Sequence, residues 1–137
     1  MRIVRAKRSE RNIRRAMAEI FLAERCLLSD YLYFVSAYKA DYPELSEMLE
    51  AFCTEHANNV RHLNFYGTKD SSRGRETRAR TNACEAISYI LAKEQRLKLL
   101  YERLYLLCDE VALEGQIKEI LRASGMRLSI LENIQKA

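Results

Sequence analysis

The chain has 137 residues, enough for one domain with a full core, and its 48% hydrophobic and 31% charged content fits a globular protein. It lacks any apolar run of about 18 residues, so no membrane span is expected. Its start, MRIVRAKRSERNIRR, is too charged for a secretory signal, which points to the cytoplasm.

The net charge of +4 is unevenly spread. Residues 1–15 hold seven Arg and Lys against one Glu, and residues 69–80 hold five against two acids. The remainder has 11 basic and 16 acidic residues, so an acidic body carries two basic segments. Cys26, Cys53, Cys84 and Cys108 form no CxxC pair, and free thiols are expected in a reducing compartment.

In chain order, residues 1–9 read as a basic N-terminal arm, and Ser9 suits the N-cap of a first helix running to about Lys39. Its stripe is Ile20, Glu24, Leu27, Tyr31, Phe34, Val35 and Tyr38. Asp41 is the expected cap of the second helix, with Pro43 in its first turn and Glu44 completing a capping box. Leu45, Met48, Leu49, Phe52, His56, Val60 and Leu63 form the second stripe, which ends near residues 65–67. Residues 67–81 are polar and aperiodic, a basic crossover loop. Asn82-Ala-Cys-Glu85 is another capping box and opens a third helix along Ile90, Glu94, Leu97, Tyr101, Leu104, Tyr105 and Cys108. Asp109 is the expected cap of a fourth, carrying Leu113, Ile117, Ile120, Leu121, Ser124, Leu128 and Leu131. The fold expected for 1–137 is a single all-α domain: an antiparallel four-helix bundle of two helical hairpins joined by a long crossover.

Both halves carry an acid in an apolar stripe. Glu24 and Glu94 lie at the same register, 70 residues apart, and helices two and four repeat at an offset of 68. A buried carboxylate is costly unless a partner or a metal takes it. His56 sits mid-stripe on the second helix, with Cys53 one turn earlier. Bundles with di-iron carboxylate centres draw one Glu from each of two helices and Glu-x-x-His from each of the others. Here the second helix offers Cys53-Thr-Glu-His56, and the fourth offers Leu121-Arg-Ala-Ser124. A rival frame uses Glu55, Asn58 and His62, but it lies off the apolar stripe, where Glu55 and His62 are expected in solvent or at an interface.

With these motifs the chain resembles the ferritin-like superfamily, and most of all rubrerythrin-type bundles. The resemblance rests on Phe21-Leu-Ala-Glu24 followed by Tyr31-Leu-Tyr-Phe34, and on Glu55-His56-Ala57, and it spans residues 16–135. Such domains bind two irons and reduce peroxide, often beside a rubredoxin-like module, for which this sequence has no cysteine pattern. The resemblance implies that Glu24, His56 and Glu94 fall on ligand positions. Cys53, Leu121 and Ser124 fall on positions whose usual residues are missing. A second iron is therefore not expected. The remaining set, Glu24, His56, Glu94 and Cys53, suits one ion of iron or zinc. Without an ion, the two glutamates would share a proton, or one would pair with His56. The implied role is metal or oxidative-stress handling without turnover, in a homodimer.

Tyr31 and Tyr101 follow the two glutamates by seven residues and are expected to pack while hydrogen-bonding a carboxylate. Cys26, Cys84 and Cys108 read as small buried hydrophobes. Tyr33, Tyr42, Tyr66 and Tyr89 fall partly off the stripes, as interface residues would. Arg2, Arg5, Arg8, Arg11 and Arg15, with Arg73, Arg75, Arg78 and Arg80, support an alternative function: a non-catalytic scaffold that binds an acidic partner or nucleic acid through arm and loop.

Overall fold

The structure is a computed structural model that describes residues 2–64 and 82–136, with side chains described for 10–63 and 82–136. Four helices make up the described residues: α1 (Arg2–Tyr38), α2 (Pro43–Asn64), α3 (Ala83–Leu107) and α4 (Val111–Lys136). Loop 67–81 and its arginines lie outside them, as do Tyr66 and the side chains of Arg2, Arg5 and Arg8.

α1 begins at Arg2 rather than at Ser9. Nothing in residues 2–9 breaks a helix, so the backbone of the basic arm continues α1. Pro43 opens α2 as expected, but the Tyr42 carbonyl accepts the first helical bond, from Ser46 N–H (2.9 Å), so Tyr42 rather than Asp41 holds the cap position. The Asn82 side chain does cap α3, accepting from Glu85 N–H at 2.8 Å. α3 ends on an extended Cys108, whose N–H turns back to the carbonyls of Leu104 and Tyr105. The Glu110 carbonyl then accepts from Glu114 N–H, so α4 is capped at Glu110, one residue after Asp109.

α1 packs on α2 and on α3, and α3 packs on α4. Every neighbouring pair is antiparallel. Phe34 meets Tyr89 while Tyr101 meets Glu24, so numbers fall along α3 as they rise along α1. Ser46 Oγ donates to the Val35 carbonyl near one end of the first hairpin (2.6 Å), and His56 meets Glu24 further along. In the second hairpin Tyr105 approaches Glu114, while Gln135 Nε2 reaches Ser88 Oγ (2.9 Å) at the far end. α2 thus ends at the opposite end of the bundle from the start of α3, which is the two-hairpin arrangement with a full-length crossover.

The core runs along the seams as the stripes predict. Ile20, Leu27, Phe34, Leu49, Ile90, Leu104 and Leu131 are among its fully buried members. Each such side chain removed from water contributes about 1.5–3 kcal/mol. Cys84 is exposed and Cys26 and Cys108 are half-buried, so these three thiols are less covered than the small buried hydrophobes expected. All four cysteines are free. No helix among the described residues is long and apolar enough to cross a membrane.

Candidate functional site

The core is interrupted at mid-height by charge. Glu24 on α1, His56 on α2 and Glu94 on α3 are each 0% exposed. Their helical stripes point them inward, and antiparallel packing brings them to one level. His56 bridges the two acids: Nδ1–H donates to Glu24 Oε1 at 2.5 Å, and Nε2–H donates to Glu94 Oε2 at 2.7 Å. Tyr31 lies nearly parallel to the imidazole, with ring centroids 5.3 Å apart.

The tyrosines close the centre crosswise. The Tyr31 hydroxyl donates to Glu94 Oε2, and the Tyr101 hydroxyl donates to Glu24 Oε2. Each tyrosine thus serves the acid of the opposite half, as the antiparallel α1–α3 pair requires. Asn59 Nδ2 donates to Glu24 Oε2 at 2.9 Å.

Arg127 on α4, which the sequence reading missed, completes the group. It is 1% exposed, and its Nε–H donates to Glu94 Oε2 at 3.0 Å. Nη1 donates to Glu55 Oε1 at 2.5 Å, so Glu55 is tied to a buried cation rather than simply solvated. The signal was available in the repeat: at the offset of 68, Ser124 matches His56 and Arg127 matches Asn59. Asn59 serves Glu24 just as Arg127 serves Glu94. An arginine on a polar heptad-like position gives no hint of burial by itself, because its long stem can equally carry the charge to solvent.

The electrostatics follow from this geometry. Burial pushes the His56 imidazole down, but hydrogen bonds and charge from Glu24 and Glu94 outweigh it and raise its pKa from 6.5 to about 9. At neutral pH it is an imidazolium with both nitrogens donating. Burial works to raise Glu94, yet hydrogen bond and charge from His56, with Arg127 and Tyr31, hold its carboxyl below the ordinary value. Burial first, then the adjacent carboxylates, keep both tyrosine hydroxyls well above their usual pKa, so they stay protonated. Two carboxylates therefore face two buried cations, His56 and Arg127.

Cys53 is buried within the apolar core. Its thiol is raised by burial and then by Glu50, not by the central acids. Ser124 is buried and Leu121 half-buried at their matching positions on α4. Among the described residues, no three His, Cys, Asp or Glu side chains are arranged to hold a metal ion. Two buried polar atoms of the arginine–carboxylate pair, Arg127 Nη2 and Glu94 Oε1, have no hydrogen-bond partner among the described residues.

One matching solved structure is described as "Crystal structure of ferritin like, diiron-carboxylate proteins from Bacillus anthracis str. Ames". The match covers 93% of this chain and 97% of that one, with a TM-score of 0.82 and 11% sequence identity. The fold is that of the ferritin-like four-helix bundles. At such low identity the likeness extends to the ferritin-like architecture and not to ligands or activity. No protein-family model matches the sequence, and no curated protein does.

Around the buried centre lie two surface grooves. One, of 530 Å³, separates α2 from α4, with Asn59 and Arg127 among its lining and Glu55, His62, Gln116 and Glu119 around it. The other, of 710 Å³, follows α1 and α3 and is lined by Leu22, Ala23, Cys26, Leu97 and Leu100, with charge from Glu19 and Arg96.

Proposed function

We propose that this chain is a ferritin-like bundle with a degraded di-iron centre, acting as a non-catalytic scaffold that binds partners through its surfaces. The observation that carries this reading is the double engagement of His56 beside the buried Arg127. A metal-ligating histidine must offer a ring-nitrogen lone pair. Here both nitrogens face carboxylate oxygens. Both Glu24 oxygens and Glu94 Oε2 already accept hydrogen bonds. Leu121 coordinates nothing, Ser124 is a poor ligand, and Cys53 is not influenced by the acids it would have to join. The residues present do not fit two metal ions, whose charge is supplied instead by protein cations.

One atom favours a second reading. Glu94 Oε1 is a buried acceptor without a partner, which suits a single iron or zinc ion held by Glu24, His56 and Glu94, with Cys53 as the fourth ligand, in metal or oxidative-stress handling. Metal analysis after anaerobic iron loading separates the two. The scaffold reading expects less than roughly a tenth of an ion per chain, whereas a stoichiometric ion removed by substituting Glu94 would establish the single-ion reading.

Two surfaces suit the scaffold role. The exposed Leu22, Tyr33 and Leu99 on the α1 and α3 helices suit a second copy of the chain in a homodimer. The exposed Arg11, Arg14 and Arg15 on α1 suit an acidic partner or nucleic acid. Retention on heparin or DNA resin that weakens steeply with salt is the expected result for that surface, and salt-independent behaviour removes it.

A further inference from the structure

α1 is longer than the bundle it belongs to. Its 37 residues compare with 22, 25 and 26 in α2, α3 and α4. The contacts at the centre give the level at which each partner stops. α2 meets Glu24 through His56 and ends at Asn64, eight residues further on, which is the level of Ala16 on the antiparallel α1. α3 meets Glu24 through Tyr101 and ends at Leu107, six residues on, at the level of Ala18. α4 meets Tyr105 through Glu114 and starts three residues earlier, at Val111, near the level of Met17. Burial changes at the same point: Ala16 and Met17 are buried, whereas residues 10–15 are exposed apart from the half-buried Ile13. Among the described residues, α1 therefore projects alone from Arg2 to Arg15, and 14 residues at about 1.5 Å each give about 21 Å.

The projection is strongly basic. Residues 2–15 hold seven Arg and Lys against Glu10 alone, which is about one net charge per 3.5 Å of helix. Each strand of a DNA duplex presents one phosphate per about 3.4 Å of its axis. Arg11, Arg14 and Arg15 share one exposed face, turned away from the core stripe of Ile13, Met17 and Ile20. The body behind them is acidic, with 11 basic against 16 acidic residues outside 1–15 and 69–80, and repels a polyanion brought against its side. The tip of the projection stands beyond two Debye lengths from that body, at about 8 Å each in physiological salt.

Shape selects among polyanions. A single α-helix is about 10–12 Å across and the major groove of B-form DNA is about 12 Å wide, so the projection enters where a four-helix bundle does not. The exposed side chains of residues 10–15 are all polar or charged. They lack the aromatic or aliphatic anchor that the core of a protein–protein interface needs.

We propose that the projecting N-terminal part of α1 is a DNA-docking helix: its arginine face lies along the major groove of a duplex and contacts phosphates, while the acidic bundle stays outside. This rests on the scaffold reading and names its partner.

Fluorescence anisotropy of the full chain with a labelled duplex of mixed sequence is the test. Binding is expected with a logarithmic salt slope of about −5, from six phosphate contacts at about −0.9 each. The triple variant Arg11→Gln, Arg14→Gln, Arg15→Gln keeps polar side chains on an exposed helical face, so circular dichroism is expected to be unchanged. Its affinity is expected to fall at least about fiftyfold at roughly 0.1 M salt, and its salt slope to shrink by about 3. Removing the same charge from the bundle, with Arg103→Gln, Arg122→Gln and Lys136→Gln, is expected to change affinity by less than about threefold. A chain that does not bind the duplex, or equal losses from the two triple variants, overturns the docking helix. So does a polyglutamate peptide that competes as well as DNA at equal charge, which assigns the arginines to an acidic protein partner. Each of these outcomes leaves the scaffold reading standing. A stoichiometric iron or zinc ion in the same preparation, with duplex binding intact, overturns the scaffold reading instead.

Discussion

The buried imidazolium is the residue on which the centre turns, because it neutralises one acid while touching both. Its pKa is raised to about 9, so its contribution to stability is complete below about 6.5 and is lost as pH rises through about 9. The displacement corresponds to roughly 3 kcal/mol. Glu94 is lowered, so its contribution is present above 4.5 and is lost as pH falls through its depressed value. Thermal melts are expected to show a marked drop in Tm between about pH 6.5 and pH 9. His56→Gln should abolish that alkaline drop, and a variant that keeps it would place the titration elsewhere. Removing one side of a buried pair leaves an uncompensated charge and costs about 3–5 kcal/mol, so Glu94→Leu alone is expected to be severe. Adding Arg127→Met to it removes both signs and leaves Glu24 balanced by His56. Most of the loss should then return in denaturant titration, because a buried pair replaced by apolar side chains of similar volume is often neutral.

At the scale of the helices, capping and packing set separate limits. Asn82 holds the first N–H groups of α3, and Asn82→Ala is expected to cost about 1 kcal/mol. Gly115 lies within α4 with open space where its side chain would be, so Gly115→Ala should stabilise by about 0.5–1 kcal/mol. Calorimetry on the two single variants checks both signs. The turn between α3 and α4 shows why one boundary was placed a residue early. Cys108 is simply extended (φ −79°, ψ 135°), a conformation open to any residue, so neither glycine nor proline was needed to mark it. Boundaries made by side-chain chemistry, as at Asn82 and Pro43, were legible. Those made by backbone alone, at Tyr42 and Glu110, were not.

For the whole molecule, the unpaired surface of α1 and α3 matters most. Leu22 is 42% exposed and Leu99 65% exposed, at positions where an isolated bundle gains nothing from them. A homodimer on this face is expected to appear in mass measurement in solution, and Leu99→Glu should shift it to monomer without lowering helix content. A monomer at every concentration would assign the exposed leucines no role in self-association.

Period and register were decided locally. The 3.6-residue spacing of apolar side chains determined four helices, the offsets of 70 and 68 determined two similar hairpins, and the stripes determined that Glu24, His56 and Glu94 face inward. The crosswise reach of Tyr31 and Tyr101 follows from those same stripes once the helices are antiparallel. What only tertiary structure decided was which polar side chains from other helices meet those acids. Arg127 and Glu55 lie 72 residues apart and on different helices, and a flexible cation can point inward or outward with the same local sequence. Its inward choice depends on two carboxylates that must be neutralised away from water, a cost that exists only after the four helices have closed around them.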